Sequence, residues 1–330
     1  MMLLPKAVPL GGVAAAPRAR LVALLLAFPM LLSEPAQAWW DEGHMQIAYL
    51  AYDRLTPAVK ERADTLLKLN PDYPNWTAGA PEGKEKLYAF VHAATWADDI
   101  KTKADYYDDQ PTDSTAGHNV PYGHLKHQYW HFKDTLYSPD NTPLPAPVAV
   151  DAVSQLKLMI AALPSSSPAS EPLRSYDLTW TLHLVGDLHQ PLHAIDRYTA
   201  QISDKEGDRG GNEEMVIPAT GQTLALHAYW DSLFGGYSSV FGAIFDADDK
   251  TNGLWRVAVE PAKAVELDPA VWAQESFELA KQKAYAPPIR ADKTPVQLTR
   301  DYETNARNLA RSQAALAAAR LANLLNMVLQ

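Results

Sequence analysis

The stretch Thr181-Leu-His-Leu-Val-Gly-Asp-Leu-His-Gln-Pro-Leu-His193 constrains this 330-residue chain more than any other. Residues 172–190 place apolar side chains at three-to-four spacing, the period of an α-helix with a buried face. Pro191 ends or bends that helix, because proline lacks the backbone N–H and its ring clashes with the preceding turn. Within it, His183 and Asp187 are four residues apart and share one face, with Cβ atoms about 5–6 Å from each other. His227 and Asp231 repeat the spacing in Leu226-His-Ala-Tyr-Trp-Asp231, and His193 lies just past Pro191, where the bend can turn a further imidazole toward the same cleft. One such pair is more often a buried imidazole satisfied by a carboxylate than a metal site. Two pairs with an additional histidine point to metal, and imidazole plus carboxylate without thiolate suits zinc in a hydrolytic site.

The rest of the chain reads as helix with little strand. Thr56-Pro57 has the form of an N-cap followed by proline at the first helical position, opening a helix to Leu69. Residues 84–99 and 148–162 carry the helical period, and 297–328, rich in Ala, Leu and Arg, forms a long closing helix. Glu213–Ile217 and Thr223–Leu226, around Ala219-Thr220-Gly221, read as a β-hairpin. The polar, turn-rich stretches 101–127 and 137–147 read as surface loops, and no helical-array repeat is visible. The expectation is a single, mainly α domain over 39–330 with one small β-hairpin.

Residues 1–38 read as a removable leader. Lys6, Arg18 and Arg20 precede the apolar run Leu21 to Leu32, too short to span a bilayer, and Ala36-Gln37-Ala38 is the small-x-small pattern of signal peptidase cleavage. Cleavage after Ala38 predicts a periplasmic or secreted product beginning at Trp39, with no stable membrane association. The absence of cysteine excludes a disulfide scaffold, a Cys-ligated zinc finger, an iron–sulfur cluster and a thiol nucleophile. A formal charge of −10 argues against a broad basic surface wrapped by nucleic acid, though not against a local grip on a few phosphates.

Trp39-Trp-Asp-Glu-Gly-His44 begins where the leader is cut, and a free α-amine with its own carbonyl can chelate a metal in a five-membered ring. Together with Trp96-Ala-Asp98, Trp130-His-Phe132, the H-x-x-x-D-x-x-x-x-x-H core, the Gly-Gly-Asn turn at 210–212, the second H-x-x-x-D pair and Arg320-Leu-Ala-Asn-Leu-Leu-Asn326, the mature chain resembles the S1/P1 family of zinc-dependent nucleases. That family shares its fold with zinc-dependent phospholipase C. The resemblance implies a multi-helix fold and three Zn²⁺ ions. One would take Asp98, His131, His183 and Asp187; a second the Trp39 amine and carbonyl, His44 and the bridging Asp187; the third His193, His227 and Asp231. It further implies hydrolysis of single-stranded DNA or RNA to products bearing a 5′-phosphate, with 3′-nucleotidase activity, and no protein partner.

The resemblance also implies roles around the metals. Asp134 matches an aspartate that orients the attacking water, the alternative being a turn cap. Lys101 can neutralise phosphate or pair with Asp134, or be a solvated lysine. Phe132 can stack a base, since aromatic faces accept any base and favour unpaired strands, or can belong to the core. Asn212 can support the site loop or shape a tight turn. Asp196 receives no role. His92, His118, His124, His127 and His189 are read as structural or surface residues, His189 having the best claim to support a ligand from behind. Two other readings compete. Zinc-dependent phospholipase C is expected to place its first histidine further from the N-terminal Trp and to end its last pair in Glu, unlike Asp231 here. A non-catalytic exported zinc-binding protein would bind a readily exchanged zinc and have no activity.

Overall fold

The computed structural model describes residues 39–112, 122–202, 206–236 and 238–330, all within one compact unit, Ala36–Gln330. Residues 1–38, read above as the leader, lie outside the described residues. The chain runs through α1 (Asp41–Asp53), α2 (Pro57–Leu67), α3 (Tyr73–Thr77), α4 (Glu85–Ala93) and α5 (Trp96–Thr102). After β1 (Leu136–Tyr137) come α6 (Ala152–Ala162) and α7 (Glu171–Asp187). A 3-10 turn, Pro191–Ala194, leads to β2 (Asp196–Arg197), then β3 (Met215–Ile217), β4 (Leu224–Ala225) and α8 (Leu226–Asp231). The C-terminal third holds α9 (Val240–Ala247), α10 (Pro261–Ala264), α11 (Pro269–Leu279), β5 (Val296–Gln297) and α12 (Arg300–Val328). The fold is mainly α, and among the described residues no helix is long and apolar enough to cross a membrane.

Helix α7 is the axis of the molecule. Ser170 caps it by accepting from the Leu173 N–H, and it is buried on every face from Arg174 to Asp187. A helix enclosed on all sides needs neighbours all round, and α1, α2, α5, α6 and α12 supply them. Six tryptophans, Trp39, Trp96, Trp130, Trp180, Trp230 and Trp272, are fully buried. Trp180 on α7 meets Trp96 edge-on at 6.1 Å and Trp130 at 5.0 Å between ring centroids. Such edge-to-face contacts add about 0.5–1.5 kcal/mol each beyond burial, in a chain that has no cysteine and so no disulfides.

Several sequence expectations change in detail. Residues 84–99 form not one helix but two, parted at Ala94-Thr95. There the Thr95 hydroxyl donates to the His92 carbonyl, a local bond that competes with the helical ladder. The helix expected over 172–190 ends at Asp187, four residues before Pro191, and that over 148–162 starts at Ala152 behind an Asp151–Ser154 capping box. The hairpin is present, with Val216 opposite Leu224, but Val296–Gln297 adds a parallel strand. Those residues therefore precede the closing helix, which starts at Arg300 behind the N-cap Thr299. A second, two-stranded parallel pair, β1 with β2, joins the segments that follow His131 and His193. Residues 113–121 of the expected loop 101–127 lie outside the described residues. Helices α1, α9 and α11 had no counterpart in the sequence reading.

The N-terminus of α7 is tied to α2 by a two-pronged contact, Arg62 Nη1 and Nη2 to the Glu171 carboxylate at 2.7 and 2.9 Å. Arg62, and after it Arg174, holds Glu171 down at about 2 against an ordinary 4.5. Because the folded-state value is depressed, this stabilisation is complete above about pH 4.5 and disappears as the pH falls toward 2. Glu171→Gln should therefore cost less than about 1 kcal/mol at neutral pH, the pair being part-exposed. In denaturant titrations the gap between parent and variant should close as the pH is lowered through this range; a gap that persists at low pH would assign the loss to packing instead.

Candidate metal centre

The C-terminal turns of α7 carry His183 and Asp187 on one face, and other segments converge there. These are five in number: His44 comes from α1, Asp98 from α5, and His131 from the end of a 3-10 turn, Gln128–Trp130. His193 comes from the turn after α7, and His227 with Asp231 from α8. All eight are buried, as is Trp39. Within each of three groups, the potential ligand atoms lie within 4.8 Å of one another: His44, Asp98 and His183; His131, His183 and Asp187; His193, His227 and Asp231. Asp187 links the first two: its Oδ1 is 3.3 Å from both His44 Nε2 and His183 Nε2, and its Oδ2 is 3.0 Å from His131 Nδ1.

Trp39 is fixed at the edge of this set. Its indole donates to the Gly186 carbonyl at 3.2 Å, its ring meets Phe234 edge-on, and the next backbone N–H, of Trp40, donates to Asp231 O at 3.1 Å. Chain position 39 is thereby held between α7 and α8. Gly186 is required by the same crowding, since a Cβ there would stand 2.7 Å from His44 Nδ1.

Three imidazoles are oriented by backbone carbonyls. His183 Nδ1 donates to Ala94 O at 2.7 Å, His193 Nδ1 to His131 O at 2.8 Å, and His227 Nδ1 to Gly210 O at 2.8 Å. With Nδ1 protonated, the rings of His193 and His227, whose charged forms burial disfavours, turn a lone pair on Nε2 toward the cluster, while His183 Nε2 faces the Asp187 carboxylate. The Nε2 atoms of His193 and His227 are 3.0 Å apart. Two lone pairs at that distance repel unless a proton or a cation lies between them. Burial, and then His193, lowers His227 to about 3, so a proton is disfavoured at neutral pH. His131 is also held at about 3, by burial and then Lys101.

The carboxylates complete the balance. Burial pushes Asp98 up, but Lys101 and the surrounding histidines outweigh it and hold the group at about 2. Burial likewise opposes the charged form of His183, yet Asp187 and Asp98 raise it to about 9. Asp231 is pushed well up by burial, although Gln190 Nε2 donates to its Oδ1 at 2.7 Å. Both nitrogens of His44, Asp98 Oδ2 and Asp187 Oδ1 are buried without a hydrogen-bond partner among the described residues. Lone pairs, carboxylates and unpaired buried acceptors converging on one volume fit divalent cations, and the N/O donor set suits zinc.

The residues expected around the metals fall differently. Lys101 Nζ bonds Asp98 Oδ1 at 2.6 Å and is buried. Of the alternatives given for Lys101, burial removes the solvated one, and its acid partner is Asp98, three residues away on the same helix, rather than Asp134. Asp134 and the half-buried Phe132 share a cavity of about 60 Å³ with Tyr129, Val148 and Val150. Loss of water, and then Asp208, pushes the Asp134 carboxyl up to about 7. Asn212 donates from its side chain to Arg209 O, the tight-turn role. His189 turns away from the cluster: Nδ1 donates to Val185 O, and Nε2 accepts from the Arg320 guanidinium at 3.0 Å. His127 stacks on Trp130 at 3.8 Å, and His118 lies outside the described residues. The sequence reading missed Gln190 and the carbonyls of Ala94 and Gly210. Gln190 offered one signal, a polar side chain between two candidate ligands; the carbonyls offered none.

Fold and site together define a class, a mainly helical protein whose central helix carries a buried, multi-histidine centre able to hold several divalent cations. A sequence profile described as S1/P1 Nuclease matches residues 39–330, and the chain belongs to that family. It is 26% identical over 223 residues to Nuclease S1 of Aspergillus oryzae (strain ATCC 42149 / RIB 40). That match covers 63% of this chain and 60% of the relative's length.

Since Asp187 faces two of the three groups, Asp187→Asn is expected to remove about one to two ions per chain while leaving the helical content intact. Elemental analysis beside circular dichroism checks this; unchanged metal content would remove Asp187 from the centre.

Proposed function

We propose that the mature chain, residues 39–330, is a zinc-dependent phosphodiesterase that cleaves single-stranded DNA or RNA to products with a 5′-phosphate and also acts as a 3′-nucleotidase. The observation that carries the reading is the junction at Asp187, where two groups of buried ligands meet beside a third. In this reading Asp98, His131, His183 and Asp187 hold one zinc; Trp39, through its amine and carbonyl, His44 and Asp187 hold a second; and His193, His227 and Asp231 hold the third. Family membership favours a nuclease over a phospholipase C or a non-catalytic zinc-binding protein.

When bound, such a cluster polarises phosphate oxygens and lowers the pKa of a water toward neutrality. The side chains do the rest. Lys101, held against Asp98, adds positive charge beside the phosphate. Phe132 offers an aromatic face to an unpaired base, and Asp134, on the wall of the same cavity, accepts a proton of the attacking water and orients it. Asn212 supports the site loop through its own turn. Local cationic charge then attracts a polyanion to a chain whose formal charge is −10.

The leader, residues 1–38, is removed after Ala38 on export to the periplasm or the medium, which converts the Trp39 amide nitrogen into a free amine able to ligate. Two measurements test the reading together. Protein ending its leader at Ala38 should cut single-stranded far faster than double-stranded DNA, lose activity to a chelator, and leave 5′-phosphate ends. Protein with a single methionine before Trp39 should lose about one zinc and at least about tenfold in rate. Detection of 3′-phosphate ends would refute the chemistry, hydrolysis of phosphatidylcholine in place of DNA would reverse the substrate, and full activity of the extended protein would remove the terminal amine from the ligand set.

A further inference from the structure

The third ligand group is built from two segments that are joined at its Asp231 end by Gln190, whose Nε2 donates to Asp231 Oδ1 at 2.7 Å, but not at its two histidines. His193 sits in the turn after α7 and His227 in α8, and their facing Nε2 lone pairs repel at 3.0 Å. What fixes their spacing lies behind them, in the loop 206–214 that contains Gly-Gly-Asn. Gly210 has φ +64°, and a Cβ there would stand 2.3 Å from Leu192 O, so the loop presses against the residue next to His193. From that position the Gly210 carbonyl accepts from His227 Nδ1. The Gly211 carbonyl accepts the His227 backbone N–H at 3.3 Å.

The loop in turn hangs on Asp208, which is fully buried. Its Oδ1 accepts the Arg197 N–H at 2.9 Å, its Oδ2 accepts the Tyr285 hydroxyl at 2.6 Å, and its own N–H donates to Arg197 O at 3.0 Å. Arg197 belongs to β2, four residues after His193. Its guanidinium lies 3.8 Å over the Tyr285 ring, 3.4 Å from Asp208 Oδ2, and pairs with buried Glu214. The carbonyl of Glu214 accepts the N–H of Leu226, the residue before His227. Two routes therefore run from the His193 segment to the His227 segment, one through Asp208 and Gly210, the other through Glu214 and Leu226. Both pass through Arg197, and the Arg209 N–H adds a separate tie of the loop to Asp196 Oδ1 at 2.8 Å. None of these residues belongs to the ligand groups. One buried cation among two carboxylates is an expensive way to close a loop if packing alone were needed.

We propose that Asp208 is the positioning residue of the His193–His227–Asp231 metal position: by anchoring the loop at Arg197 and Tyr285 it sets the tautomer and aim of His227 through Gly210 O. The inference rests on the metal reading above for its consequence, but its structural half concerns only how His227 is held. Asp208→Asn keeps the shape and places an amide where the carboxylate accepts two donors; Tyr285→Phe removes one donor and leaves the Arg197 contacts.

The test uses the protein as purified, with two readouts. The first is solvent exchange of the imidazole Nδ1–H protons of His183, His193 and His227, followed by NMR. The second is release of bound zinc to a chelator. In Asp208→Asn the His227 proton should exchange at least about tenfold faster and one zinc should leave about tenfold faster, with the other two rings and the remaining zinc unchanged. Tyr285→Phe should move the same signals by a smaller factor, and decides the matter if Asp208→Asn does not fold. A merely structural role would loosen all three rings alike, and that result, or an unchanged His227, overturns the proposal. If the parent holds no divalent cation, the metal reading fails by itself, while the exchange of the His227 proton still decides whether Asp208 positions the ring.

Discussion

The structure depends on burying a set of ionisable side chains at the C-terminal end of one enclosed helix. Placing His183 and Asp187 on α7 removes them from water, and an isolated buried charge would cost several kcal/mol. Compensation has to come from other segments: Asp98 and Lys101 from α5, His44 from α1, and His131 and His193 from the turns. The topology follows from that requirement. Segments remote in sequence must meet at the end of α7, and the aromatic packing around Trp180 holds them in register beside His131, whose ring lies 5.3 Å from the Trp180 ring.

Regular helices have no carbonyls to spare except at their ends. This explains why the fold is interrupted where it is. The carbonyl of Ala94 is freed at the break between α4 and α5 and receives His183; that of His131 is freed after a 3-10 turn and receives His193; that of Gly210 is freed in a glycine loop and receives His227. Each interruption supplies one acceptor for one imidazole. The irregular backbone near the centre is therefore a structural component of it, setting which nitrogen of each ring carries the proton.

This division also decides what could be read from the sequence. The ligand candidates were legible because i,i+4 spacing is a local property, and His183/Asp187 and His227/Asp231 declare a shared face without tertiary information. Caps were legible for the same reason, as at Thr56-Pro57. The break at Ala94-Thr95 was not, since neither glycine nor proline marks it and its use lies 89 residues away at His183. The strand Val296–Gln297 was hidden because pairing with β3 is non-local, and α1, whose buried face runs from Glu42 to Ala51, mixes polar ligands with apolar contacts and blurs its own period. The bond of Lys101 to Asp98 was not legible, because the sequence left it a phosphate, Asp134 or solvent, and only burial shows which acid it meets.

Acidity outside the centre follows the same logic at longer range. Asp196 is pushed up to about 8, by burial and then by Asp134 and Asp208, and Asp134 itself to about 7. These carboxyls crowd the segment between His131 and the loop 206–214, with Arg197 as the buried cation that pairs with Asp208 and Glu214. An acidic rim is compatible with the divalent cations of the proposed function. In the proposed function, the carboxylates that stay ionised would lower the total charge that the buried volume holds, while bound ions would keep the local potential positive where a phosphate enters. In that reading, a chain with more acids than bases acts on a polyanion because its positive charge would be concentrated at one point and supplied by ions rather than by its side chains.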